Sequence, residues 1–128
     1  GLVYGYTGAG KTTAVTWLVT RSKGVYVRAM SSWTPTAMLG RMMRELGAEP
    51  MHRRAVMLDF IADRLKRDQR PVFVDEADYL LRDAGLLDTL RDIHDLTGAP
   101  VVLVGMSGIE RRLVVRPQLA RRVSHWVE

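Results

Sequence analysis

The stretch Gly5-Tyr6-Thr7-Gly8-Ala9-Gly10-Lys11-Thr12 obeys the spacing GxxxxGK[ST]. That spacing constrains the fold because it functions only as a connection from a strand into a helix. Here it follows the apolar run Leu2-Val3-Tyr4 and leads into a helical segment beginning near Lys11. Glycine at positions 5, 8 and 10 permits positive φ, so successive N–H groups can converge on an anion. The helix that follows turns its positive end toward the same point. Lys11 adds a mobile charge for β and γ phosphates, and the Thr12 hydroxyl can coordinate Mg²⁺. The pattern therefore predicts a nucleoside triphosphate site over Gly5, Tyr6, Thr7, Gly8, Ala9, Gly10, Lys11, Thr12 and Thr13, with Mg²⁺ as its metal. The plain alternative is a glycine-rich turn followed by an ordinary lysine, and a second motif argues against it.

That motif is Val72-Phe73-Val74-Asp75-Glu76, preceded by Arg70-Pro71. A short apolar run rich in β-branched and aromatic residues reads as a strand buried on both faces, as in parallel sheets. Ligands of open α/β sheets bind at the carboxyl ends of such strands. Asp75 is then placed to hold the Mg²⁺ shell through water, and Glu76 to orient and deprotonate an attacking water. Without the glycine-rich loop, the two acids would read as a solvated strand end.

The chain has 128 residues, 47% hydrophobic and 26% charged, which suits one domain and excludes a second complete one. It opens at the start of a strand without methionine and reads as a core spanning residues 1–128, excised from a longer protein. With no cysteine, disulfides and thiolate metal sites are excluded and a reducing compartment is compatible. No apolar run of about 18 residues exists, so no membrane span is expected. The net charge of +5, from 19 Lys and Arg against 14 Asp and Glu, favours polyanions. The densest basic group, Arg53, Arg54, Arg64, Lys66, Arg67 and Arg70, reads equally as a solvated helix face or a nucleic-acid surface.

Strand and helix alternate throughout. After the first strand and helix, Val25-Tyr26-Val27 with Arg28 is a second strand. Thr34-Pro35 supplies an N-cap and a first-turn proline for a helix to about Leu46, stopped by Gly47. His52 to about Lys66 forms a helix with the apolar stripe Val56, Met57, Phe60, Ile61 and Leu65. Ala84 to Leu96 forms another, with Leu86, Leu87, Leu90 and Ile93 inward and Gly98 as its stop. Val101 to Val104 is a buried strand, Ile109 to about Val115 a short helix, and Val123 to Val127 a last strand. The alternation predicts an α/β fold, a parallel five-stranded sheet flanked by helices, without fixing the strand order. Met38, Met42 and Met43 read as core filling beside Leu39 and Leu46. Trp33 reads as packing before base stacking, and His52, His94 and His125 show no ligand spacing.

These residues resemble the AAA+ class of P-loop ATPases, and within it the transposition-associated ATPases of the phage Mu B, TniB and TnsC type. The resemblance runs from Gly5 to Thr12, through Glu45-Leu46-Gly47, Val74-Asp75-Glu76-Ala77-Asp78 with Leu80, Leu90-Arg91 and Val102-Leu103-Val104-Gly105, to Leu119–Val123. It implies the P-loop NTPase three-layer sandwich of the ASCE division. Lys11 and Thr12 would be the Walker A residues, Asp75 the Walker B magnesium residue and Glu76 the hydrolytic base. Arg122, with Arg121 as competitor, would be an arginine acting on a neighbouring subunit's nucleotide; from the sequence alone a surface pair is the simpler reading. Ser107 and Met106 are the candidates for a sensor after the fourth strand, where relatives often carry asparagine. The family implies ATP hydrolysis, self-association into oligomers or filaments on duplex DNA without sequence preference, stimulation of a transposase, and a cytoplasmic location in a bacterial or phage-infected cell.

A helicase loader or replication initiator of the same fold is the nearest alternative, and a nucleotide-gated signalling switch is another. Asp75-Glu76-Ala77-Asp78 also spells a helicase tetrapeptide, but no Ser-Ala-Thr segment follows the next strand. A small-molecule kinase would seldom end this strand in two acids.

Overall fold

The computed structural model of the chain describes residues 2–4, 9–105 and 126–127, with side chains from 14 to 105. In chain order the elements are β1 (Leu2–Tyr4), α1 (Ala9–Ser22), β2 (Val25–Arg28), α2 (Pro35–Glu45), α3 (Arg54–Asp68), β3 (Val72–Asp75), a 3-10 helix (Ala77–Arg82), α4 (Ala84–Thr97), β4 (Val101–Gly105) and β5 (Trp126–Val127). The strands pair in the order β2-β3-β4-β1-β5, and every neighbouring pair is parallel. The parallel sheet with flanking helices expected from the alternation is present. What the alternation could not give is that β4 lies between β1 and β3. The expected helix at 109–115 and residues 123–125 of the last strand lie outside the described residues.

Alternation along the strands sorts the two faces. Val25, Val27, Val72 and Val74 are at most 1% exposed and join the main core. That core is completed by Met38, Leu39, Met42 and Met43 of α2, by Met57, Ile61 and Leu65 of α3, and by Leu86, Leu87, Leu90 and Ile93 of α4. The three helices pack on one another, and α2 also packs on β2. Methionine at three of the six buried α2 positions suits an uneven junction, because its unbranched side chain adapts to gaps. Phe73 faces the other side of the sheet, where its ring lies where a Cβ on Gly24 would stand, 2.4 Å from Cε2. Glycine at position 24 therefore makes room for the buried ring between α1 and β2.

The helix ends follow their local chemistry. The Thr34 hydroxyl accepts from the Ala37 N–H (3.1 Å), with Pro35 at the first helical position. The Asp83 carboxylate accepts from the Gly85 N–H (2.8 Å) at the start of α4, and Gly98 closes it at φ 70°. Helix α3 begins two residues after the expected His52 and runs two past Lys66, closing on Gln69 at φ 53°. No glycine marks that end; the basic pair Lys66-Arg67 in the last turn and Pro71 three residues beyond it are the sequence's stop signals. One correction concerns a side chain: Val56 is 43% exposed rather than part of the inward stripe, whereas Trp33, buried at 9%, packs as expected. Phe60 is half-buried, with the Arg64 guanidinium 4.9 Å above its ring.

Candidate nucleotide site

Register places the two motifs at one edge of the sheet. Leu103 of β4 pairs with Leu2 on one side and Val74 on the other, so the carboxyl ends of β1, β4 and β3 are level. Asp75 closes β3 one residue beyond this row, and Tyr4 closes β1 two residues beyond it, opposite Gly105. Two inter-strand spacings separate β1 from β3, roughly 10 Å. Helix α1 starts at Ala9, with Gly10, Lys11, Thr12 and Thr13 in its first turns. Four residues separate Tyr4, at this edge, from Ala9. The first turn of α1 carries no acidic residue, so nothing in that turn opposes an anion at its positive end. Gly5, Tyr6, Thr7 and Gly8 lie outside the described residues, as do Met106, Ser107, Arg121 and Arg122.

The acidic pair has partners the sequence did not reveal. Arg28 of β2 is in register with Asp75, and Tyr26 with Phe73. The Tyr26 hydroxyl donates to Asp75 Oδ2 at 2.5 Å, and the Glu76 N–H donates to Asp75 Oδ1 at 2.8 Å. Arg28 meets Glu76 Oε1 at 3.5 Å, with the arginine side chain 70% exposed, so the pair contributes little to stability. Glu76 sits in the left-handed region at φ 53°, ψ 41°. For a non-glycine residue that conformation costs about 1–2 kcal/mol, and such outliers cluster at functional sites. It turns the chain from β3 into the 3-10 helix, whose Tyr79 N–H donates back to the Glu76 carbonyl (3.1 Å). Beside Glu76, toward β2, opens a cavity of about 610 Å³ whose lining includes Arg28, Met30, Trp33, Arg41 and Tyr79.

Burial, followed by the hydrogen bond and the negative charge at Asp75, pushes the Tyr26 phenol up from 10.0 to about 12. An acid whose pKa is raised on folding contributes its full stabilisation below the unfolded value and loses it as pH climbs through the folded one. The stability difference between the parent and Tyr26→Phe is therefore expected to hold below pH 10 and to shrink between 10 and about 12. Urea unfolding of both proteins across that window checks it.

Other candidates separate by their contacts. Arg54 donates to Thr36 Oγ1 (2.9 Å), Arg67 pairs with Asp68 (3.5 Å) and Arg70 donates to the Lys23 carbonyl (2.7 Å), so much of the basic group is engaged locally. Among the described residues no group of three or more His, Cys, Asp or Glu could hold a metal ion. Nor is any described helix long and apolar enough to cross a membrane. Tyr26 and Arg28 are the residues that sequence reasoning missed. Alternation put both on one face of β2, but the neighbour they face was unknown.

A family model described as AAA domain matches residues 1–113. No curated protein matches the chain significantly. Among solved structures, the Aeropyrum pernix ORC2 protein in its ADP form aligns over 99% of this chain and 41% of its own, at 20% identity and a TM-score of 0.77. The same protein in its ADPNP-ADP complexes aligns at 21% identity and a TM-score of 0.75. The Aeropyrum pernix ORC1 protein in complex with DNA covers 99% of this chain and 38% of its own, at 22% identity and a TM-score of 0.71. The chain thus spans about two fifths of the structures it resembles, and at these identities the likeness establishes the fold alone. The family match over most of the chain, on a parallel sheet in which β1 and the acidic strand β3 end at one edge, makes it a member of the AAA domain family with the AAA+ P-loop NTPase fold.

Proposed function

We propose that this chain is the Mg²⁺-dependent ATP-hydrolysing core of a protein that acts on duplex DNA. The observation that carries the reading is the shared sheet edge, where the carboxyl end of β1, four residues before α1, lies two strands from Asp75 at the end of β3. In this reading the N–H groups of Gly5 to Thr13 and the Lys11 ammonium grip the phosphates. The donor set suits Mg²⁺: with no cluster of three acids or histidines among the described residues, the ion would be held by Thr12, Asp75, phosphate oxygens and water, as Mg²⁺ ordinarily is. When bound, Mg²⁺ neutralises charge on the phosphates. Glu76 orients the attacking water and accepts its proton. Arg122 or Arg121 would act on a neighbouring subunit's nucleotide, and Ser107 or Met106 would take the sensor position.

The finer reading is that ATP-bound copies assemble on DNA without sequence preference and stimulate a transposase, in the cytoplasm. The net charge of +5 supports contact with a polyanion. A second reading, a helicase loader or replication initiator, is favoured by the likeness to the ORC1 protein bound to DNA. ATP turnover by the full-length protein, with and without duplex DNA, tests the common part. Mg²⁺-dependent turnover that DNA stimulates, with a stimulation that fades as salt rises, is expected. Turnover indifferent to DNA, with no DNA binding at low salt, would leave a signalling switch instead. Stimulation of a transposase, against loading of a helicase, separates the two finer readings.

A further inference from the structure

We propose that Tyr26 is a positioning residue for Asp75, fixing its carboxylate in the orientation that takes up the hydrated divalent cation accompanying the nucleotide. The inference rests on the reading of Asp75 as a residue of the cation shell. Tyr26 pairs with Phe73 across the β2–β3 ladder, so Asp75, two residues on, is its diagonal neighbour on the same face. Diagonal neighbours stand about 7–8 Å apart, within reach only of long or aromatic side chains. The phenol spans that gap and delivers its hydroxyl to Oδ2.

The second oxygen is held from a different direction. Oδ1 accepts the N–H of Glu76, a residue turned back by its left-handed backbone. Donors from two elements on two oxygens hold the carboxylate against rotation about both of its side-chain bonds. Each carboxylate oxygen offers about two lone-pair sites, so the described residues leave one on each for water or a cation. Among the described residues, only the N–H of the next residue would restrain the group without the phenol. Its register partner across the ladder, Phe73, is buried, with its ring in the space left by Gly24. An outer partner like the phenol orients a metal-binding group, and removing one typically weakens metal affinity by about 10–100-fold.

Tyr26→Phe keeps the ring and removes only the hydroxyl. Fluorescently labelled ATP is titrated into the full-length parent and variant, first in EDTA and then at rising Mg²⁺. Affinity in EDTA is expected to match the parent, while the Mg²⁺ concentration giving half of the Mg²⁺-dependent gain rises about tenfold. An unchanged Mg²⁺ dependence would overturn the inference, as would an equal loss of affinity with and without Mg²⁺, the signature of a merely structural hydroxyl. Asp75→Asn is run in parallel. If Asp75→Asn shifts the Mg²⁺ dependence and Tyr26→Phe does not, positioning fails and the cation role stands; if neither shifts it, the cation role fails as well.

Discussion

Glu76→Gln is expected to lower ATP turnover by about 10²–10⁴-fold, the usual contribution of a general base, while nucleotide binding persists. Gln has the shape of Glu and keeps an acceptor oxygen, but it cannot take a proton from water. β1, which leads toward the helix α1 proposed to grip the phosphates, is two strands away, so nucleotide binding is expected to survive the substitution. The fold is expected to tolerate it too. The ion pair lost is the one with Arg28, partly in solvent on both sides, and such pairs are worth at most about 1 kcal/mol. Steady-state turnover, labelled-ATP binding and thermal unfolding measured on one preparation give all three outcomes. Turnover equal to the parent would remove Glu76 as base. If hydrolysis drives disassembly, the variant should also accumulate as ATP-bound oligomer.

Leu39→Ala is expected to cost about 3 kcal/mol, within the range for a buried leucine. Leu39 is fully buried in the main core, on a helix that packs against β2, α3 and α4. The vacated volume would open where three elements meet, with little freedom to collapse. Against a typical total of about 5–15 kcal/mol, that loss is large. Val56→Ala is the matched control. Val56 belongs to the apolar pattern of α3 yet is 43% exposed, so the change should stay within about 0.5 kcal/mol. Urea unfolding of both variants separates residues that merely fit the helical period from those the core buries.

The same contrast shows how far the sequence could be read. Spacing alone located Lys11 at the start of a helix, Asp75 at the end of a buried strand, and Met38, Met42 and Met43 in the core. Thr34-Pro35 and Gly98 marked helix ends because each supplies a specific backbone or capping chemistry. Periodicity reports which face a residue occupies and says nothing of which element lies opposite. The position of β4 between β1 and β3, and the pairing of Tyr26 and Arg28 with Asp75 and Glu76, were therefore out of reach. The left-handed turn at Glu76 had no glycine or asparagine to announce it, and the short 3-10 helix after it has too few residues to show a period. The features that escaped notice surround the acidic pair, where local preference yields to the demands of a site.

The central claim is that this sheet edge holds a nucleoside triphosphate. Labelled ATP titrated with Mg²⁺ into the folded, full-length protein tests it most directly. Saturable uptake that Lys11→Ala markedly weakens is the expected result; no saturable uptake by the folded parent would contradict the account.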